Sequence, residues 1–271
     1  MNVLSIPPVQ LKPVQLKPAL KWAGGKRWLV PTLKQLWEPH THRRLVEPFV
    51  GSMAVSLGLQ PSRSLLGDMN VHLINFCRWL QRGLYVDVAM ANDSELYYRL
   101  RDRFNQLTLN GGIESPEAAQ IFYYLNRTGF NGLCRFNRKG EFNVPFGRYK
   151  IINYAKDFLE YVPVLAKWDF LEGDFCKITL NKDDFIYADP PYDVEFTKYS
   201  SHAFLWDDQV RLAEWLTQHP GPVVASNQAT ERILHLYERL GFTTTILHGP
   251  RRISCTGDRT PAREMFAYRG I

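Results

Sequence analysis

Short apolar runs alternate with stretches of helical spacing along most of this 271-residue chain, and that alternation restricts the fold more than any other feature. The sharpest run is Phe185-Ile186-Tyr187-Ala188, which stops at Asp189-Pro190-Pro191-Tyr192. Proline has no N–H to give a sheet ladder and its ring fixes φ, so two in succession end a strand. A carboxylate, a stiff turn and an aromatic ring then lie just past the strand's end. "RRLVEPFV" predicts another strand running into a turn, and "SRSLLGDMN" a third, with Leu65 and Leu66 before Asp68. Residues 70–82 have helical spacing at Leu73, Phe76, Cys77 and Leu80. Residues 20 to about 80 thus read helix, strand, helix, strand, helix. Strands are also predicted in "KWDFLEGDF", "PGPVVASN" and "GFTTTILHG". Helices are predicted in "WDDQVRLAEWLTQ", starting at Trp206 or Asp207, and in "ATERILHLYERL". The class is α/β, a mostly parallel sheet with helices on both faces. Ligands of such sheets bind beyond the C-terminal strand ends. Glu47 to Ser52, Asp68, and Asp189 to Tyr192 are therefore expected at one rim.

The middle of the chain breaks the pattern. Residues 92–135 look mainly helical and run into "RTGFNGLCRFNRKGEFNVPFGRYK", whose turns and lack of period suit a long functional loop or a small hairpin. This middle is expected to be an insertion. From Ile121 to Lys150 the bases Arg127, Arg135, Arg138, Lys139, Arg148 and Lys150 face one acid, Glu141, and are interleaved with Phe and Tyr. Basic groups among aromatics suit phosphates and base faces. The whole-chain charge of +6 leans the same way, and a second basic stretch runs from Arg251 to Arg269.

Several classes are set aside. No apolar run reaches the roughly eighteen residues of a membrane helix. The N-terminal segment carries a five-residue tandem repeat, Val9–Pro13 and Val14–Pro18, without the marks of a signal peptide, and is expected to be a flexible leader over residues 1–19. The four cysteines show no C-x-x-C spacing and no zinc pattern with the histidines, so free thiols, a reducing compartment and no metal are expected. "LKWAGGKRWL" fails as a phosphate-binding P-loop, because Leu20 stands where a glycine is needed and Arg27 where Ser or Thr is needed. Its Gly24-Gly25 turn could instead open a helix whose N-terminus, with Lys26, faces a carboxylate or phosphate.

"EPFVGS" followed by Asp68 has the layout of a nucleoside site: a glycine turn for close approach, then an acid for ribose hydroxyls near the usual spacing. Without G-x-G-x-x-G a diphosphate is not expected; an ordinary strand-to-helix turn would read the same. Asp189 and the Pro190 carbonyl offer two acceptors in a stiff frame. An aromatic amine, its lone pair delocalised into the ring, needs two such acceptors to regain nucleophilicity. Tyr192 could stack on the base, which must leave the duplex to be reached.

"KWAGGK", "EPFVGS", "YLNRTGFNGLCRFNRKGEFNVPFGRYK" and "DPPY", in that order, resemble a Dam-type DNA adenine methyltransferase of the D12 class, over Leu20 to Tyr268. The resemblance implies a Rossmann-like S-adenosylmethionine-dependent methyltransferase sheet over residues 20–82 and 160–271, with a mainly helical DNA-recognition domain inserted at 83–159. It implies S-adenosylmethionine as methyl donor, the exocyclic amine of adenine in double-stranded DNA as acceptor, a GATC target, and a cytoplasmic protein with no obligate protein partner. Asp189, Pro190, Pro191 and Tyr192 would form the catalytic loop. Trp22, Lys26, Phe49, Gly51, Asp68, Asp174, Phe175 and Asp189 would hold the cofactor, with Lys26 near its carboxylate and Asp68 on its ribose. Phe130 and Asn131 would fill the gap left by the flipped base. Lys21, Leu133, Arg135 and Pro145 would read bases, Arg135 by two hydrogen bonds to guanine. Arg148, Lys150, Arg251 and Arg252 would hold phosphates. One departure stands out: relatives often read F-x-G-x-G where this chain has Phe49-Val50-Gly51-Ser52-Met53.

Two other readings fit parts of the pattern. The same loop chemistry would serve the amine of cytosine, or RNA. A binding module that has lost catalysis would keep the basic, aromatic block, although an intact Asp68 and Asp189-to-Tyr192 loop count against it.

Overall fold

The computed structural model describes residues 15–193, 204–250 and 261–271. In chain order it contains α1 (Val30–Trp37), β1 (Leu45–Glu47), α2 (Ala54–Leu59), β2 (Ser64–Asp68), α3 (Val71–Gln81), α4 (Ser94–Leu109), α5 (Pro116–Thr128), α6 (Val162–Leu165), β3 (Trp168–Glu172), β4 (Phe185–Ala188), α7 (Trp206–Thr217), β5 (Val223–Gln228), α8 (Glu231–Arg239), β6 (Thr243–Gly249) and β7 (Ala262–Arg269). Local chemistry sets several starts. Asn70 caps α3 by accepting from the His72 and Leu73 amides. Asp93, Ser115 and Thr230 cap α4, α5 and α8 in the same way, and Pro116 opens α5 where its missing N–H costs nothing.

The strands form one sheet in the order β3-β2-β1-β4-β5-β7-β6. All neighbours are parallel except β7, which runs antiparallel to both β5 and β6. β1 and β4 are buried throughout, as strands covered on both faces must be. Their side chains alternate between two cores. Leu45, Phe185, Tyr187 and Val224 pack with Leu33 and Trp37 of α1 and Val55 of α2. Val46, Ile186, Ala188, Val223 and Ala225 pack with Leu212 and Leu216 of α7 and Ile233 and Leu236 of α8. The order reverses direction between β1 and β4, and this switch point opens a crevice at the strands' C-terminal ends.

A third core joins the chain's middle to the sheet. Phe76 of α3 stacks on Tyr123 of α5 with ring centroids 5.8 Å apart, and Phe104 of α4 packs against Phe122. Leu16, inside the expected leader, is buried in this same cluster. The Gly- and Asn-rich stretch is a minimal hairpin: Phe136 bridges Phe142, and Asn137 N donates to Glu141 O.

Two expectations are corrected. No helix opens at Gly24-Gly25; the chain turns through Lys26 and α1 begins only at Val30, with Pro31 in its first turn. β7 was not expected at all. The basic stretch from Arg251 to Arg269 carries no strand signal in its charge pattern, yet its residues Ala262–Arg269 form the longest strand described.

Candidate active site

The crevice at the switch point holds a cavity of about 800 Å³. Among the residues picked out by sequence, Trp22, Lys26, Phe49, Gly51, Asp68, Leu133, Asp174, Phe175, Asp189, Pro190, Pro191 and Tyr192 all line it. They come from the end of β2, the turns after β1, β3 and β4, the loop before α1 and the segment after α5, so only the tertiary fold brings them together.

Asp189 follows the last residue of β4 and is held on both oxygens. Ser226 on β5 donates to Oδ1 at 2.8 Å, and the Lys26 ammonium lies 3.1 Å from Oδ2. Ser226 is itself 2.9 Å from the Tyr187 hydroxyl. Burial raises the Asp189 carboxyl above its ordinary range, and Lys26 and Ser226 oppose that rise. The two-proline turn is fixed from below: Gln209 of α7 donates to Pro191 O at 2.8 Å, and Asn227 of β5 donates to Gln209 at 2.8 Å. Tyr192 donates its hydroxyl to Glu264 at 2.6 Å.

Lys26 is only 4% exposed. Its ammonium donates to Gly24 O at 2.8 Å, lies 3.8 Å from Glu264 and stands 4.6 Å from the centroid of the Tyr192 ring. A buried cation of this kind is tolerable because two carboxylates and a carbonyl replace its water.

Another acid faces the cavity. Glu47 ends β1, is buried, and its Oε1 finds no hydrogen-bond partner among the described residues. Burial pushes its carboxyl up to about 8; Ser56 opposes the rise and Asp189 adds to it. Between pH 4.5 and about 8 the folded protein keeps a proton that the unfolded chain has lost, so the stability Glu47 contributes falls as pH rises through that window. Glu47→Gln is therefore expected to gain stability over the parent, from nothing near pH 4 to on the order of a few kcal/mol at pH 8. Melting temperatures of both proteins across that range test it, and parallel curves would count against it.

The turn after β1 is shaped for close approach. Gly51 has φ +49°, and a Cβ there would stand 3.0 Å from Nε1 of Trp22. The Gly51 amide donates to Asp68 Oδ2 at 3.1 Å, and the Asn70 amide to Oδ1 at 3.0 Å. Burial raises Asp68, and these amides oppose it. Met53 stands where relatives often carry the second glycine, and its φ is +59°. The departure is in the side chain; the backbone keeps the glycine-like shape. The far wall is aromatic: Phe49 lies 5.8 Å from Phe175 and 5.5 Å from Phe204, centroid to centroid. Asp174 gives both carboxylate oxygens to Arg211, at 2.9 and 2.8 Å, and Arg211 holds its pKa down. It also caps the turn that carries Phe175 by accepting from Cys176 N.

The residues expected to meet DNA divide. Leu133 reaches the cavity; Lys21, Phe130, Asn131, Arg135, Pro145, Arg148 and Lys150 do not line it. Phe130 is 49% exposed at the tip of a 3-10 turn, beside Asn131 at φ +52°. Pro145 O accepts from the Phe130 amide, and Arg148 and Lys150 are exposed. Arg135 donates to Asn143 Oδ1 at 2.8 Å through Nε and to Asn143 O at 3.0 Å through Nη2. Lys21 is occupied within the protein: its ammonium donates to Arg127 O at 3.0 Å and sits 3.9 Å over the Tyr149 ring. Burial lowers its pKa, and Arg127 adds to this. Arg251 and Arg252 lie outside the described residues. No cluster of three or more His, Cys, Asp or Glu suited to a metal occurs among the described residues, and no helix among them is long and apolar enough to cross a membrane.

Three groups at this site escaped sequence reasoning. Asn126 brackets the Lys21 backbone with two 2.8 Å hydrogen bonds, tying α5 to the loop that carries Trp22 and Lys26. Ser226 and Glu264 sit on β5 and β7. For Glu264 one signal existed: an acid inside "AREMFAYR", whose apolar residues mark a strand.

The profile of the D12 class N6 adenine-specific DNA methyltransferases matches residues 22–252. The retron Ec67 DNA adenine methylase of Escherichia coli is 34% identical over 93% of this chain and 90% of its own. The DNA adenine methylase of Haemophilus influenzae is 40% identical, over 73% of each chain. A DNA N-6-adenine-methyltransferase of Escherichia phage P1 is 35% identical over 88% of this chain, which spans only 33% of that longer protein. A methyltransferase of known structure from Pyrococcus furiosus is 12% identical, with a TM-score of 0.33 over 89% of this chain and 83% of that one, too distant to add to the strand order.

Proposed function

This chain belongs to the D12 class of N6 adenine-specific DNA methyltransferases, and on that premise we propose that it methylates an adenine flipped out of duplex GATC, with S-adenosylmethionine as donor and the Asp189–Tyr192 loop as the catalytic element. The observation that supports this most is Asp189. Its carboxylate is fixed by Ser226 and Lys26 at the mouth of a nucleoside-sized cavity, with Tyr192 beside it.

The residues present suit S-adenosylmethionine. A glycine turn at positive φ tight against Trp22, a half-buried acid behind it, an aromatic wall and a lysine offer places for a ribose, an adenine and a carboxylate. When bound, the cofactor supplies an electrophilic methyl group. Asp68 would take ribose hydroxyls, Phe49 and Phe175 would flank the adenine, and Lys26 would hold the carboxylate. Asp174 spends its oxygens on Arg211, so its part would be to fix the turn that carries Phe175. Asp189 and the Pro190 carbonyl would accept the two N–H groups of the target amine and draw its lone pair out of conjugation. The pinned two-proline turn means that these acceptors need little reorganisation. Tyr192 would stack on the flipped base.

We assign residues 83–159 to target recognition. Phe130 and Asn131 would occupy the gap in the duplex, and Arg148, Lys150 and, outside the described residues, Arg251 and Arg252 would hold phosphates. Arg135→Ala is expected to lose about 1–3 kcal/mol of discrimination at one guanine while leaving non-specific affinity nearly intact. Rates on oligonucleotides altered at each base of the site test this; equal losses on every sequence would place Arg135 on phosphate instead. Nucleoside mass spectrometry of unmethylated plasmid treated with protein and cofactor, with digestion by nucleases that sense GATC methylation, tests the whole reading. Methylcytosine, or N6-methyladenine confined to other sequences, would overturn it.

A further inference from the structure

Glu264 lies inside the sheet, on β7, opposite Gln228 of β5 and Leu247 of β6. It is 8% exposed, and its side chain points toward the candidate catalytic loop: Oε2 accepts the Tyr192 hydroxyl at 2.6 Å and lies 3.8 Å from the Lys26 ammonium. The slot it passes through is narrow. A Cβ on Gly249 of β6 would stand 2.4 Å from Glu264 Oε1 and 2.7 Å from Trp28 Cζ2, so the slot depends on glycine at 249. From this slot the carboxylate touches two groups of the site at once.

We propose that Glu264 is a positioning residue for methyl transfer: it fixes the ring of Tyr192 through the hydroxyl, and it shares the charge of Lys26 with Asp189, leaving Asp189 able to accept from the target amine. The inference rests on the reading of Asp189 to Tyr192 as the catalytic loop. Without Glu264, Lys26 has Asp189 as its one carboxylate partner among the described residues, and the acceptor is tied up in an ion pair. Without the hydroxyl contact, the ring can turn about its Cβ–Cγ bond, and the surface offered to a base is no longer set. Among the described residues, the charged or titratable groups that face Glu264 are Lys26 from the loop before α1, Tyr187 of β4, and Asp189 and Tyr192 from the loop after β4.

Two variants separate the roles. Glu264→Gln keeps an acceptor for Tyr192 but removes the charge; Tyr192→Phe keeps the ring but removes the hydroxyl. In each, kcat is expected to fall roughly tenfold, with KM for DNA and the melting temperature close to the parent's. Only Glu264→Gln should also shift the acid limb of the kcat–pH profile, to lower pH, because Asp189 then loses a neighbouring anion and gains the whole of Lys26. A uniform loss of kcat at every pH, a KM effect alone, or a parental kcat in Glu264→Gln would overturn the proposal. Asp189→Ala is run beside them. If it still transfers methyl groups, the catalytic-loop reading has failed; if it is inactive while Glu264→Gln is normal, only the assignment of Glu264 has failed.

Discussion

Asp189→Ala is expected to slow methyl transfer by about a thousandfold or more, while the protein stays folded and keeps most of its DNA affinity. The size of the effect follows from what Asp189 would do. It would be the one charged acceptor at the target amine, in a site where burial strengthens every electrostatic contact. The modest effect on folding follows from its partners. Ser226 keeps the Tyr187 hydroxyl at 2.9 Å, and Lys26 keeps Gly24 O at 2.8 Å and Glu264 at 3.8 Å. No partner is left alone, so the main cost is a small cavity, on the order of 1 kcal/mol. Single-turnover transfer of a labelled methyl group, with DNA titration by fluorescence anisotropy and a thermal melt, measures all three quantities. A rate within tenfold of the parent would remove Asp189 from the mechanism.

Lys26→Met should be nearly as damaging, by a different route. The ammonium is the counter-ion that opposes the effect of burial on both Asp189 and Glu264. With it gone, both carboxyls rise further, and Asp189 spends more of its time protonated at neutral pH. A protonated acid is a poorer acceptor for an amine. Methyl transfer should therefore fall by about a hundredfold at pH 7, recover partly toward pH 9, and show a weaker affinity for the cofactor at every pH. Removing one partner of a buried charge cluster also costs roughly 3–5 kcal/mol. The folded acids with raised pKa hold their protons while the unfolded chain loses them, so that deficit should shrink as pH falls toward 4 and grow as it rises. A pH–rate profile with the parent's acid limb would show that Lys26 does not tune Asp189.

The rim of the site was legible in the chain because it is built from local events. An apolar run stopped by two prolines, a run ending at Asp68 and a glycine turn after Glu47 each declare a strand end, and parallel strands carry such ends to one side. What stayed hidden depends on long-range pairing. Glu264 and Tyr192 are 72 residues apart, and nothing near either one announces the other. Ser226 looked like an ordinary strand residue until β5 lay beside β4. Lys26 lines the cavity from a different element than expected, since turn residues extend to Leu29 and the helix opens only at Val30. Met53 shows the limit of reading letters: a glycine pattern is broken in the side chain while the backbone keeps its left-handed turn. Lys21 shows the converse. Its place among base-reading positions came from the resemblance, and the structure finds its ammonium already engaged with Arg127 O and the Tyr149 ring.

The place of β7 bears on how the molecule comes into being. It is the last strand in order among the described residues, yet it lies between β5 and β6 in the sheet, and among those residues it is the strand that β6 pairs with. Until residues 262–269 have been made, β5 and β6 therefore both lack the neighbour that each pairs with in the described sheet. Glu264 reaches Tyr192 and Lys26 in that same closing step. A nascent chain can bury α3 against α5 early, from nearby segments, but the rim of its candidate site is completed only when β7 slots into place.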